Sequence, residues 1–353
     1  MRQFATYRND SQTSELLTDC MAENVAQVIS KVKLLVPATT PTALPVKTVA
    51  DNTGRKQYSK RVPLPAQPHN KKLDLQQMLA AAAAATVAAS EVLMSRFRRP
   101  DNAKPLNAYY KSPNALVTDA DLASDRAISE ALSAAKAPGR ILSEESETIL
   151  TDDESLTWLV DPLCGTVPYS TGMDHWGVNV ALRRDGDLLA ASLRLPSLRI
   201  GLSASRGGGV INKGVINKGE PFTSSSPREK LSESTVGLEI DGPDEWRQKL
   251  ASGLEWIPQV SQINTFASSA YPMALLCLGR LPAAVFYGIE PVHLAAGAMI
   301  ASELGILVTD DTGGAIDWSR DDELAVVVVG WPGIHKQLIE TMSGGNAAFP
   351  ATS

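Results

Sequence analysis

The stretch Leu156 to Ser170, LTWLVDPLCGTVPYS, gathers residue types that could do chemistry. Trp158, Leu159 and Val160 are a short apolar run of the kind that forms a buried strand, and the chain then passes into Asp161-Pro162-Leu163-Cys164-Gly165-Thr166. A carboxylate therefore sits at the mouth of a strand. Pro162 withholds an amide hydrogen and fixes its own φ, while Gly165 permits a backbone path closed to other residues, so the turn can aim carbonyls and amides at one point. The amides of Gly165 and Thr166 would make an anion-binding nest. Gly207-Gly208-Gly209, the other glycine-rich stretch, lacks a following Lys-Ser/Thr and reads as a turn.

The elements that must position this loop follow from periodicity. Lys72 to Phe97 reads as a long Ala-rich helix, and a second helix runs from Asp121 to Ala135, ended by Pro138-Gly139. Ile141-Leu142-Ser143 is a short strand delivering Glu144 and Glu145. Beyond the loop, Gly177 to Arg183 and Asp187 to Leu195 read as a hairpin about Arg184-Asp185-Gly186, with Gly201 to Ser205 and Gly209 to Asn212 as further strands. A tandem VINKG, Val210 to Gly219, reads as a hairpin or small duplication. The second half reads as strand Thr235 to Ile240, a helix through Glu245 to Gly253, a strand-to-helix passage over Ile263 to Leu278, strand Pro282 to Tyr287, a helix from His293, two more strands and a closing helix, Gly333 to Met342. Ahead of all this lie a helical stripe over Ser11 to Val36 and a Pro-rich linker over 37–70, which read first as a mobile arm and, more sharply, as a subunit contact or a lid. The expected division is 1–70, 71–230 and 231–353.

A chain of 353 residues can bury a large core. Its net charge of −6 comes without a basic stripe, which argues against nucleic-acid binding. Cys20, Cys164 and Cys277 are odd in number and far apart, so a reducing, cytoplasmic setting is expected rather than a disulfide framework. The apolar run Met78 to Met94 is interrupted by Ser90-Glu91 and reads as a buried helix, not a membrane span.

The 161–166 loop resembles the signature of the inositol monophosphatase family, Asp-Pro-Leu/Ile-Asp-Gly-Thr, with Cys164 where the family has its second Asp. Three further segments fall in the family's order: ALVTDAD over Ala115 to Asp121, ILSEES over Ile141 to Ser146, and EPVHLAAG over Glu290 to Gly297, where His293 stands for a third metal-binding Asp. The resemblance implies an α/β layered fold, an α-β-α-β-α sandwich, here with an extra N-terminal helical arm. It also implies a homodimer and a small anionic, phosphorylated substrate. It assigns one magnesium to Glu144, Asp161 and the carbonyl of Leu163, makes Asp121 and Thr166 orderers of a water, and puts Ser268 and Ser269 on the substrate side; His175 reads first as the start of a strand at the surface, and otherwise as a second imidazole at the cleft rim.

Two of the second ion's three carboxylates are gone. Losing unit charges within about 4 Å of a dication forfeits several kcal/mol, and sulfur and imidazole are softer than magnesium prefers, so two-magnesium hydrolysis is not expected. Three readings stay open. The fold binds a small phosphorylated metabolite with one magnesium and altered hydrolysis. Or Cys164 and His293 are gains, either joining Glu144 and Asp161 in a zinc or iron(II) set, or acting without metal as thiolate and general base. Or the protein binds without turnover. The plainer alternatives are a Cys that fills space, a His at a helix start and serines that cap a helix.

Overall fold

The computed structural model describes residues 73–98, 106–112, 115–151, 153, 155–212, 222–241 and 254–343. The N-terminal arm, the second VINKG copy and the expected helix over 245–253 lie outside the described residues. All the described elements belong to one unit, residues 70–353.

The first helix, α1 (Leu75–Met94), starts where the Asp74 side chain accepts the amides of Gln76 and Gln77. It is long and apolar enough to cross a bilayer by composition. Its small residues Ala81, Ala82, Ala85 and Ala89 are buried, however, packed on α2 (Asp119–Ala134) and on the first sheet, and Thr86 meets Ser192 there at 2.8 Å. The alanines let the helix approach closely, as a core helix does. Between the two helices lies a hairpin, β1 (Ala108–Ser112) and β2 (Ala115–Thr118).

The first sheet carries β3 (Arg140–Ser143), β4 (Glu147–Ile149), β5 (Leu156–Cys164), β6 (Gly177–Arg184), β7 (Asp187–Leu195), β8 (Ile200–Ser205) and β9 (Val210–Asn212) in the order β4-β3-β5-β6-β7-β8-β9. Strand β5 is buried along its whole length and reaches Cys164, further than the apolar run alone suggested. Its register against β6 slips between Asp161 and Cys164, so the signature loop is a bulged strand end. A short helix, α3 (Thr166–Ser170), follows.

The second sheet, ordered β11-β10-β12-β14-β13, is built from β10 (Thr235–Ile240), β11 (Gln262–Asn264), β12 (Ala283–Ile289), β13 (Leu307–Thr309) and β14 (Leu324–Gly330). Helices α4 (Ala270–Cys277) and α5 (Pro291–Glu303) lie between the sheets, sharing one core with Leu159, Ala181 and Leu193 of the first and Phe286, Val327 and Val329 of the second. The outer face of the first sheet packs Trp158, Val160 and Val180 against α1 and α2. The outer face of the second packs Val236, Val285 and Val328 on Ile334 and Leu338 of α6 (Pro332–Ser343). The order is therefore the expected α-β-α-β-α sandwich. Buried Arg183 reaches the 318–321 loop, donating to the carbonyls of Trp318 and Arg320 and pairing with Asp321, which also takes Arg140.

Candidate functional site

Three segments meet at the end of β5. Asp161 is 1% exposed, and its Oδ1 accepts the Leu163 amide at 3.2 Å. Its Oδ2 lies 2.7 Å from Nδ1 of His293, on the first turn of α5. Pro291 opens that helix, and the His293 carbonyl is fixed by Asn179 (2.8 Å) and by the Ser269 hydroxyl (2.6 Å). Glu144 follows β3 on a turn tied by its own amide to the Val160 carbonyl. Donor atoms of Glu144, Asp161 and His293 lie within 4.8 Å of one another, close enough to share an ion.

The imidazole also faces Asp241, with Nε2 3.7 Å from its carboxylate. Burial alone would lower the His293 pKa, but the charge and hydrogen bond of Asp161, with Glu144 and Asp241 behind them, outweigh it and hold the imidazole well above its usual value. A cationic ring thus spans two acidic side chains where the resemblance places a third metal-binding carboxylate.

The hydrogen bonds of Cys164 run to the residues that open α4. Its sulfur is buried and meets the Ala270 amide (3.2 Å), the Ser269 hydroxyl (3.1 Å) and the Ser268 hydroxyl (3.5 Å). Since Ser269 gives its proton to the His293 carbonyl, the thiol donates to Ser269 Oγ and accepts from Ala270. Burial, then the charge of Asp161, push the thiol well above its ordinary value despite these bonds. The sulfur stays outside the group formed by Glu144, Asp161 and His293. What joins Cys164 and His293 is Ser269, touching the sulfur of one and the carbonyl of the other.

Ser268 and Ser269, expected on the substrate side, are each 5% exposed. The Ser268 hydroxyl goes to the Cys164 carbonyl at 3.1 Å. Both serines thus brace α4 and α5 against the loop. The turn into them is enforced from behind by Glu239, whose carboxylate accepts the Phe266 amide at 2.7 Å, and Ala267 there has φ +53°. Burial raises Glu239 to about 8. Sequence reasoning passed over Glu239 and Asp241, since an acidic residue on or after a strand carries no local signal of what it will face.

Asp121 and Thr166 do meet, with Thr166 Oγ1 2.8 Å from Asp121 Oδ1 and 3.2 Å from the Leu163 carbonyl. The other oxygen of Asp121 closes a capping box on α2, accepting the amide and hydroxyl of Thr118. Burial raises Asp121 to about 6 against the pull of its bonds to Thr118 and Thr166. Helix α2 also holds the loop through Ser124, which donates to the Pro162 carbonyl at 2.6 Å. The next residue, Asp125, takes Ser143 on one oxygen (2.5 Å) and Ser146 on the other (2.6 Å), clamping the turn that presents Glu144. Gly165 has φ +95°, and a Cβ there would stand 2.6 Å from the His175 carbonyl and 2.9 Å from Ser268 Cβ, so only glycine fits. His175 is half-buried at that rim, its ring against Tyr271 and Phe266.

The donor set suits one magnesium on Glu144, Asp161 and the Leu163 carbonyl, all oxygen. Both oxygens of Asp161 already have a partner, Oδ1 the Leu163 amide and Oδ2 the His293 ring.

The profile of the inositol monophosphatase family matches residues 74–344. A Streptomyces griseus protein named glucose-1-phosphate thymidylyltransferase is 29% identical over 58% of this chain and 76% of its own length. An inositol-1-monophosphatase of Rhizobium meliloti is 28% identical over 67% and 86%. Among solved structures, the extragenic suppressor protein suhB of Bartonella henselae superposes with TM-score 0.65 at 24% identity, covering 77% of this chain and 98% of its own. With the match spanning both sheets and every segment of the site, the chain belongs to the inositol monophosphatase family.

Proposed function

We propose that the protein hydrolyses the phosphate ester of a small metabolite at the 161–166 loop, with one divalent ion instead of two. The observation that carries this reading is the 2.7 Å contact of His293 with Asp161, set beside an intact Asp121–Thr166 pair. Glu144, Asp161 and the Leu163 carbonyl would hold magnesium, which supplies positive charge to the phosphate and acidifies a nearby water. Thr166 orders that water, and Asp121 accepts its proton through the Thr166 hydroxyl. With its pKa pushed up to about 6, Asp121 is ionised at neutral pH yet basic enough for this task. The amides of Gly165 and Thr166 face the phosphate, and His293 adds charge and fixes the rotamer of Asp161.

A zinc or iron(II) set with sulfur and a Cys164–His293 dyad both require the thiol in the cleft, and the bonds of Cys164 to Ser268, Ser269 and Ala270 speak against that position. A homodimer, a cytoplasmic setting and the division at 230/231, which falls between the strands of the two sheets, are kept as parts of the proposal.

The test is phosphate release from a panel of sugar, polyol and nucleotide monophosphates with magnesium present. Release is expected from at least one ester, and Thr166→Ala or Asp121→Asn should lower kcat about a hundredfold. No release from any ester by folded, magnesium-loaded protein would refute hydrolysis.

A further inference from the structure

We infer that the substrate's alcohol carries a planar aromatic ring, which lies on the rings of His175, Phe266 and Tyr271 while its phosphate occupies the 165–166 loop. The inference rests on the phosphate-ester reading above and names the class of ester.

Three side chains from two segments converge here. The His175 centroid is 4.6 Å from that of Tyr271 and 5.6 Å from that of Phe266, and Phe266 and Tyr271 are 5.0 Å apart. All three residues are half-buried, so each keeps part of its surface open. The patch adjoins the anion loop: the His175 carbonyl and the Ser268 side chain, one from each segment, are what a Cβ on Gly165 would strike. A phosphate at the loop therefore lies beside the two segments that carry these rings.

The patch is also pre-organised. Glu239 grips the Phe266 amide at 2.7 Å, Tyr271 sits on the first turn of α4, and Arg98 holds the segment before His175 by bonds to the Gly172 carbonyl (2.7 Å) and Asp174 (2.8 Å). Rings fixed in advance lose little entropy on stacking. Meanwhile the hydroxyls of Ser268 and Ser269, which could have bound a polyol, donate to the carbonyls of Cys164 and His293. This wall offers aromatic surface in place of serine donors.

The test is calorimetric binding, with magnesium present, of inorganic phosphate, glycerol phosphate, adenosine monophosphate and naphthyl phosphate. Both aromatic esters should bind about tenfold or more tightly than glycerol phosphate, and whichever of the two is tighter tells a nucleoside from a simpler aryl alcohol. Phe266→Ala and Tyr271→Ala should each shrink the ratio of aromatic to glycerol ester affinity about tenfold, and Phe266→Trp should preserve it. Equal affinities in the wild type, or a Phe266→Ala loss shared equally by every ligand, would overturn the aromatic assignment while leaving the phosphate site standing. If not even inorganic phosphate binds, the phosphate-ester reading fails and this inference falls with it.

Discussion

The Nδ1 atom of His293 rests 2.7 Å from Oδ2 of Asp161, so an imidazole engages the oxygen of this carboxylate that the Leu163 amide leaves open, which is the basis of the one-ion proposal. Coulomb's law makes the substitution reasonable: the ring brings a positive charge to the acidic side chains from within the fold, without an ion from solution. Binding of manganese, followed by its EPR signal, should therefore saturate at one ion per chain. Cys164→Asp/His293→Asp should admit a second. Two ions of similar affinity in the wild type would contradict the arrangement.

Cys164 should behave as a structural thiol. With burial and Asp161 holding its pKa far above neutrality, it should resist a thiol reagent in the native state and react on unfolding, tested in a Cys20→Ser background. Cys164→Ala takes the acceptor from the Ala270 amide and should cost about 1–3 kcal/mol in a denaturant titration. Rapid native labelling that His293→Ala abolishes would restore the dyad.

Asp125 spends both carboxylate oxygens on the turn bearing Glu144, accepting from Ser143 and Ser146. Asp125→Ala should weaken ion binding about 10–100-fold, as loss of a supporting partner does at metal sites. Asp125→Asn, which can accept on only one side, should fall between. If ion affinity is unchanged while stability drops, the clamp serves the fold alone.

Glu239 links stability to pH. Its folded pKa of about 8 lies above the ordinary carboxyl value of 4.5, so the fold favours the protonated form. That stabilisation is complete below 4.5 and is lost as pH rises through about 8. Glu239→Gln keeps an acceptor for Phe266 and has no proton to lose. Its unfolding free energy should stay flatter than that of the wild type between pH 5 and about 8, the difference growing by at most about 1.4 kcal/mol per pH unit. Parallel profiles would show that Glu239 titrates normally.

Most of the layered fold was legible in the sequence, because buried strands and helices write their period into apolar spacing: Trp158 to Val160, the Ala-rich helix and the hairpin about Asp185 are all where that spacing puts them. The order of four short segments likewise fixed which residues would surround the loop, and Asp121 with Thr166, and Asp161 with Glu144 and His293, do assemble. Direction was not legible. Cys164 and His293 looked like partners because both stand where a metal ligand was expected, but a sulfur on a bulged strand end and a ring on the first turn of α5 can face the same gap or turn apart. Here the start of α4 takes the sulfur, offering it the Ala270 amide at 3.2 Å and the hydroxyls of Ser268 and Ser269 just ahead of the helix. Glu239, Asp241 and the Phe266–Tyr271 pair were silent for the same reason: they lie far along the chain from the loop, and only the packing of the second sheet and α4 against the first brings them to it. Residue types are local and survive in sequence; which atom a side chain meets is set by the docking of whole elements.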